Sequence, residues 1–591
     1  MKKLMIAGLL AGCLNVSLEA QRNLPIGLTP EEEQLMMSGS FQFGSTQRGV
    51  TAVPSFPVRT MAQWEEVQSL VLTWTSYPAI LAQIADAAQE EAQVIIHCSD
   101  SNAVKTYLTN AGVPLYNIRY IETSFNSIWI RDYGAHTIYK NEVDSLLLLE
   151  WIYNRPRPAD DAMPNVYAAF KGIGIHSTTQ SPNDLVNTGG NWMVDGFGTA
   201  FASKLILDEN EPGNPYGVSA KTEAEIDTIM KRYMGISRYI KMETLPYDDI
   251  HHIDMHMKLL NEETILVGQF PAGISDGPQI EANLLYVLSN FNSVFGTPYK
   301  VIRVPMVPST SGNWPGAPFG NGAYRNYPNF VFVNKTAIVP VYRTQYDTTA
   351  IRILTEALPG YNIVTIDADN SGANLISAGG VIHCITNLIG AADPMLISHQ
   401  NLPDTYDDQN PYLVDAYITH KSGIASANLY WSLTPGTGYQ AVAMTNSGNG
   451  HWVANIPAQA VGSHVYYYVE GTAVSGKTQV RPMPAPAGYF HFQVLGTPSN
   501  VDEVIAMEMD NIFPNPASSV TCIPVQTNLT FSGSLKMYDM LGKEVTEIYS
   551  GSFPMGESRY FIHAEKFPAG VYSVVLERNG GGRFVQQLII R

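Results

Sequence analysis

Cysteine is scarce in this chain. Four residues in 591, at positions 13, 98, 384 and 522, cannot build the disulfide framework that staples small exported domains. A leader that carried away Cys13 would leave three, an odd number, so at least one thiol is expected to be free or paired between chains. Positive charge is also in deficit: 35 Lys and Arg against 53 Asp and Glu give a formal net charge of -18. That balance excludes the basic patches that phosphate backbones require, so no nucleic-acid partner is expected, and it suits a cationic substrate. No segment reaches the ~18 consecutive apolar residues of a membrane-spanning helix.

What the sequence does have begins with "MKKLMIAGLLAGCLNVSLEAQ": two lysines, a short apolar run, then small and polar residues. It reads as a signal peptide over 1–20, cut after Ala20. The embedded "LAGC" ending at Cys13 also resembles a bacterial lipobox. Residues 21–56 lack a clear period and read as an extended lead-in. From 57 to 405 strand-like runs alternate with helices. "VQSLVLTW", "QVIIHC" and "NIRYIET" are strands, "AILAQIADAAQEEA" is a helix, and "SNAVKTYLTNAG" is a helix opened by Ser101 and closed by Gly112. The alternation predicts an α/β unit. Over 410–497 short alternating strands such as "LVDAYITH", "ANLYWSL" and "SHVYYYVEG" predict an immunoglobulin-like β-sandwich. Over 505–591 "VTCIPV", "SLKMYDM", "RYFIHAE", "VYSVVLE" and "FVQQLII" predict a second one.

Four polar clusters in the α/β unit carry candidate chemistry. "SIWIRDYG" (127–134) places Asp132 before a glycine, where a turn residue is the plain alternative. "DDIHHIDMHMK" (248–258), taken as a strand, puts His252 and Asp254 on one face and His251 on the other. His256 would join that face, so a metal site is the alternative there. "WIYNRPRPADDAMP" (151–164) interleaves Arg155 and Arg157 with prolines, which forbids a helix interior and holds both guanidinium groups out as a carboxylate clamp. "SAGGVIHCITN" (377–387) places Cys384 after two glycines that let a ligand approach the backbone. A buried structural cysteine is the plain alternative. His383, read as lying on a strand, faces away from Cys384.

A thiol, a histidine and two aspartates suit a reaction at a guanidinium carbon. Two carboxylates bind the planar N–H fork and hold the carbon near sulfur. The thiolate attacks, and the substrate's own positive charge helps lower the thiol's pKa. The histidine protonates departing ammonia and then activates water to hydrolyse the covalent S-alkylthiouronium.

The ordered set "WIRDYG", "NTGGNWMVDGFGTA", "HIDMHMK", "YRNYPNFVFVN" and "GGVIHCITN" resembles the guanidino-modifying superfamily of agmatine and arginine deiminases. Within it, "WIYNRPRPADD" and the trailing β domains resemble most the porphyromonad-type peptidylarginine deiminases. The resemblance implies a pentein fold, five ββαβ units in a propeller-like ring, and a hydrolase acting on C–N bonds of amidines. It implies Cys384 as nucleophile, His252 as general acid/base, Asp132 and Asp254 as guanidinium ligands, and Asn326 as support near the histidine and thiol. Trp129 would pack along the substrate's aliphatic stem, and Arg155 and Arg157 would grip the α-carboxylate of a C-terminal arginine. Gly189, Gly190 and Asn191 would shape the wall of the site. Asp249 stands where the peptidyl type would carry an aromatic, and the apolar "GGVI" before the thiol is closer to the agmatine deiminase pattern. "NIFPNPASS", "MYDMLGKEV" and "FPAGVYSVVLE" resemble the C-terminal sorting domain of type IX secretion cargo, which implies that secretion machinery as partner and a secreted or cell-surface location.

The leading expectation is therefore a secreted deiminase of arginine in peptides or proteins, preferably at C-termini. A deiminase of agmatine or another small guanidine is the alternative, and "NRPRP" discriminates, because agmatine has no carboxylate for two arginines. A catalytically silent surface adhesin need not keep the whole Cys, His and paired Asp set. A papain-like protease needs its cysteine before its histidine, the reverse of the order here. No cofactor is expected and no stretch has calcium-loop spacing; a structural calcium or sodium ion is left open by the sequence.

Overall fold

The computed structural model describes residues 24–44, 49–496, 507–579 and 581–591. The expected signal peptide and Cys13 lie outside the described residues. No helix among the described residues is long and apolar enough to cross a membrane. The lead-in differs from its expected extended form: Pro30–Met37 is a helix, begun by a capping box between Thr29 and Glu32. Its "T-P-E-E" start supplies the cap, a proline at the first turn and acidic residues at the positive end of the helix.

Between Val58 and Gly390 one pairing pattern recurs in five separate sheets. An antiparallel pair is followed by a helix and then by a strand parallel to the second of the pair. Ser145–Tyr153 pairs His136–Lys140 antiparallel and Ile175–Thr178 parallel. Thr199–Ser203 does the same with Met193–Val194 and Arg238–Met242. Thr264–Gln269 joins Met257–Leu259 and Lys300–Pro305, and Thr336–Val341 joins Val331–Val333 and Asn362–Asp367. In the remaining sheet the antiparallel partner of Val67–Thr73 is Asn387–Gly390, so the end of the α/β region pairs with its beginning. Gln93–Cys98 continues that sheet in parallel.

The reason is visible in burial. Val67–Thr73 and Gln93–Cys98 are buried almost throughout because both faces are covered, as in parallel sheets. The helix Pro78–Gln89 buries Ile80, Leu81, Ile84, Ala85 and Ala88, at helical spacing, against them. The helix at Ser101–Asn110 is capped by Asp100, whose carboxylate accepts from the Asn102 and Ala103 amides, and not by Ser101.

Residues 396–494 are β-rich. Two antiparallel sheets, one centred on Tyr412–Thr419 and the other on Ile424–Ser432 and His464–Ala473, share a core of Val414, Leu429, Trp452, Tyr467 and Val469. Tyr412–Thr419 alternates buried and open positions, the period of a strand with one wet face. Residues 507–590 form two more antiparallel sheets over Ile523, Leu535, Val574 and Leu588. Arg481 of the middle region pairs with the buried Glu262 of the α/β region at 2.8 Å.

Candidate active site

Four loops converge on Cys384. Its own loop is a turn over 382–385, not the expected strand. The turn follows Gly379, whose φ of 101° falls where side chains are strained. At the next residue a Cβ on Gly380 would stand 2.9 Å from Cys384 Sγ and 2.8 Å from the Trp129 ring. Cys384 is fully buried, and so are Cys98 and Cys522; none of the three is in a disulfide.

The second loop, "SIWIRDYG", forms a single helical turn, Ile130–Tyr133, tied to the first where the Arg131 amide donates to Cys384 O. The clamp loop secures it: the Asp160 carboxylate accepts from the Asn126 and Ser127 amides at 2.7 and 3.0 Å and from Ser127 Oγ at 2.6 Å. Asp132 thereby points inward, 1% exposed.

In the third loop Ile253–Met255 is a 3₁₀ turn, so His252 and Asp254 do not share a face by strand alternation as expected. They converge through the turn instead. His252 Nδ1 lies 3.6 Å from Asp132 Oδ1, and Asp254 Oδ2 lies 3.8 Å from Cys384 Sγ. Gly190 explains how His252 and Asp132 come so near, since a Cβ there would sit 2.4 Å from His252 Nδ1 and 2.8 Å from Asp132 Oδ1.

The fourth loop carries Asn326, but Asn329 makes the contact with the thiol. Asn329 Nδ2 donates to Cys384 Sγ at 3.2 Å, and its Oδ1 accepts the His383 amide at 3.0 Å. Asn326 stands one step behind, accepting the Asn329 amide at 2.9 Å. His383, expected to face away, turns its ring onto Asp254, with Nδ1 2.6 Å from Oδ2. Its Nε2 meets Gln63, and Gln63 Oε1 accepts from Lys258 Nζ at 3.1 Å. Asn329 lay within a quoted motif and His383 beside the thiol, but nothing in spacing alone told the contact residues from their neighbours.

Burial sets the charges. It pushes Asp132 up to about 6, opposed first by Arg155. Burial and then Asp132 drive Asp254 well above the carboxylate range. Burial, then Asp254 and Asp132, drive the Cys384 thiol up as well. His252 is held neutral by burial and by Arg155. The anionic forms of Asp132, Asp254 and Cys384 would be relieved by one arriving cation, while His252 stays neutral. Asp132 Oδ1 and Asp254 Oδ1 are buried acceptors with no hydrogen-bond donor among the described residues, and donors are what a guanidinium supplies.

Arg155 and Arg157 depart from their expected exposure. Both are buried, and residues 24–32 of the chain itself lie over them. Arg155 Nε donates to Ile26 O at 3.0 Å, and Arg157 pairs with Glu32 at 2.7 Å. Trp129 Nε1 donates to Leu24 O. Burial of Ile26 contributes about 1.5–3 kcal/mol to holding this segment down. The structure thus gathers Cys384, His252, Asp132, Asp254 and Trp129 within one buried site. The charge of Arg155 reaches Asp132 and His252, whereas Arg157 is turned to Glu32. A wide cleft lies elsewhere, between Gln269–Glu281 and the C-terminal strands, and its lining includes no cysteine. Among the described residues no group of three or more His, Cys, Asp or Glu is arranged to hold a metal ion.

Residues 55–389 match the model of the Porphyromonas-type peptidyl-arginine deiminase family, and residues 511–591 that of the secretion system C-terminal sorting domain. A provisionally named agmatine deiminase of Legionella pneumophila (strain Paris) is 28% identical over 280 residues, covering 46% of this chain and 75% of its own. Another from Mycoplasma capricolum subsp. capricolum is 26% identical over 296 residues, covering 46% and 76%. A solved structure of a provisionally named arginine deiminase from Porphyromonas gingivalis is 20% identical with a TM-score of 0.49, covering 57% of this chain and 99% of that one. Both motif resemblances, to the deiminases and to the sorting domain, are met by these matches.

Proposed function

The chain belongs to the Porphyromonas-type peptidyl-arginine deiminase family, and from that premise we propose that it converts arginine at the C-termini of peptides to citrulline and ammonia. The family and its relatives make it a guanidino deiminase. The sorting domain supports type IX secretion to the cell surface or extracellular space. The observation that carries the reading is the pair of unpartnered carboxylate oxygens, Asp132 Oδ1 and Asp254 Oδ1, buried beside a thiol that Asp254 approaches to 3.8 Å.

The chemistry follows from those positions. A guanidinium between Asp132 and Asp254 neutralises the charge that keeps the thiol protonated, so Cys384 passes its proton to neutral His252 and its sulfur bonds to the guanidinium carbon. The C–N bond then breaks, with the proton from His252 going to the leaving nitrogen, which departs as ammonia. In the second half His252 takes a proton from water and the hydroxyl adds to the same carbon; the C–S bond then breaks, the His252 proton returns to the sulfur, and the hydroxyl proton passes through solvent to the released ammonia, leaving citrulline and ammonium. Asn329 holds the sulfur in line for both steps, and Asn326 holds Asn329.

Peptidyl over agmatine specificity rests on Arg155 and Arg157, which lie on the Trp129 side of the site, where an α-carboxylate would need them. We read the five recurring sheets as the blades of a pentein ring, residues 57–405 as the catalytic domain, 410–497 as an immunoglobulin-like domain and 505–591 as the sorting domain, after a signal peptide over 1–20. The test is ammonia release from a peptide ending in arginine, from free arginine and from agmatine, with Cys384→Ala as control. Activity surviving in Cys384→Ala would sink the mechanism, and agmatine outrunning the peptide would sink the specificity.

A further inference from the structure

The donors of the clamp are already engaged, by the chain's own residues 24–32. Trp129 Nε1 donates to Leu24 O at 2.9 Å. Arg157 Nη2 donates to Pro25 O and to Gly27 O, both at 2.9 Å, and Arg155 Nε to Ile26 O. Four successive carbonyls are thus read by three side chains. The Glu32 carboxylate then closes on Arg157, with Oε1 2.7 Å from Nε and Oε2 3.0 Å from Nη2, a bidentate pair. Glu32 is not free to swing, because Thr29 N donates to its Oε2 and its own amide donates to Thr29 Oγ1.

The segment also seals the site. Ile26 N donates to Ala378 O at 2.9 Å, and the Ile26 side chain, 2% exposed, lies over Gly379. A Cβ on Gly379 would come within 2.5 Å of it. One residue further on, Gly380 touches Cys384. Successive main-chain carbonyls followed by a carboxylate are also what a peptide with a free C-terminus presents.

We infer that residues 24–32 are a tethered occupant of a peptide-reading groove, in which Trp129, Arg155 and Arg157 bind extended main chain and one carboxylate, and that a peptide reaches Cys384 only when this segment leaves. The inference rests on the deiminase reading for the groove's substrate, but the occupancy can be tested without turnover.

The experiment compares the full chain with Ile26→Asp, with Glu32→Gln, and with both. The first readout is the rate at which iodoacetamide alkylates Cys384, located by peptide mass spectrometry. The second is ammonia release from a peptide ending in arginine. Both rates are expected to rise about tenfold in the double variant, equivalent to about 1.4 kcal/mol. A synthetic peptide of residues 24–37 added in trans should compete with substrate in that variant. Alkylation and turnover both unchanged would overturn the inference while leaving the deiminase reading intact. Faster alkylation with no turnover of any guanidine would support the occupancy and overturn the deiminase reading instead. Where Ile26→Asp fails to fold, Glu32→Gln alone, at a side chain 13% exposed, decides.

Discussion

His383 Nδ1 lies 2.6 Å from Asp254 Oδ2, and both side chains are all but fully buried. Among the described residues Asp254 Oδ1 has no donor, so its acceptor capacity is unused. Behind it His383 is held at three points: Asn329 Oδ1 accepts its main-chain amide, Arg131 Nε donates to its main-chain carbonyl, and Gln63 meets ring Nε2. The charged form of each partner is disfavoured by burial, so the hydrogen between them orients the carboxylate without adding a fixed charge. His383 is a positioning residue in this arrangement, since it reaches the reaction through Asp254.

His383→Ala should therefore lower kcat/KM for a peptide ending in arginine by tenfold or more, the equivalent of about 1.5–3 kcal/mol for a hydrogen bond to Asp254 once the arriving guanidinium has ionised it. His383→Asn, whose amide can donate from about the place of Nδ1, should recover much of it. Steady-state kinetics with thermal melting as a fold control checks this. Equal losses in both variants at unchanged melting temperature would mean that the hydrogen bond does not orient Asp254.

The acid side of the pH profile should belong to the carboxylate pair. Asp132, raised to about 6 by burial, must be ionised to bind a cation, whereas Asp254, raised further, ionises as the guanidinium arrives. The free-enzyme profile of kcat/KM should climb about tenfold per unit towards pH 6 and flatten above it. Arg155 is the first group that lowers Asp132, so Arg155→Ala removes a stabilising positive charge from the carboxylate. Its midpoint should move to higher pH. A midpoint that stays put, or moves to lower pH, would place the titrating group elsewhere.

Much of this arrangement was legible in the sequence because its marks are local. Apolar runs with both faces covered gave the strands of the α/β region, and "QVIIHC" is one from Gln93 to Cys98. Alternation gave Tyr412–Thr419. Asp132, His252, Asp254 and Cys384 sit in short polar motifs that stand out from apolar surroundings. The errors came where periodicity was extended into turns. The strand rule put His252 and Asp254 on one face, but they meet through a 3₁₀ turn. The same rule turned His383 away from the site, whereas the turn at 382–385 brings its ring to Asp254. The occupation of Arg157 by Glu32 spans 125 residues, and no local pattern encodes a contact of that separation.

Asp160 links the clamp loop to the turn that carries Asp132 and should be the stability hinge of the site. Its carboxylate, fully buried, gathers the Asn126 and Ser127 amides and the Ser127 hydroxyl, and Ser127 Oγ in turn accepts the Trp129 amide at 3.4 Å. Asp160→Ala would strand these donors in the interior, at a cost of about 1–3 kcal/mol, and would loosen the turn that aims Asp132. Asp160→Asn keeps one carbonyl oxygen as acceptor but turns the other oxygen into a donor facing Ser127. The expected order of melting temperature and of kcat/KM is therefore wild type, then Asn, then Ala, read by calorimetry and ammonia release on the same preparations. Should Ala melt like wild type, Asp160 would not be what anchors the loop, and the inward aim of Asp132 would have to come from its neighbours in the turn, where the Arg131 amide donates to Cys384 O and the Asp132 amide to Trp129 O.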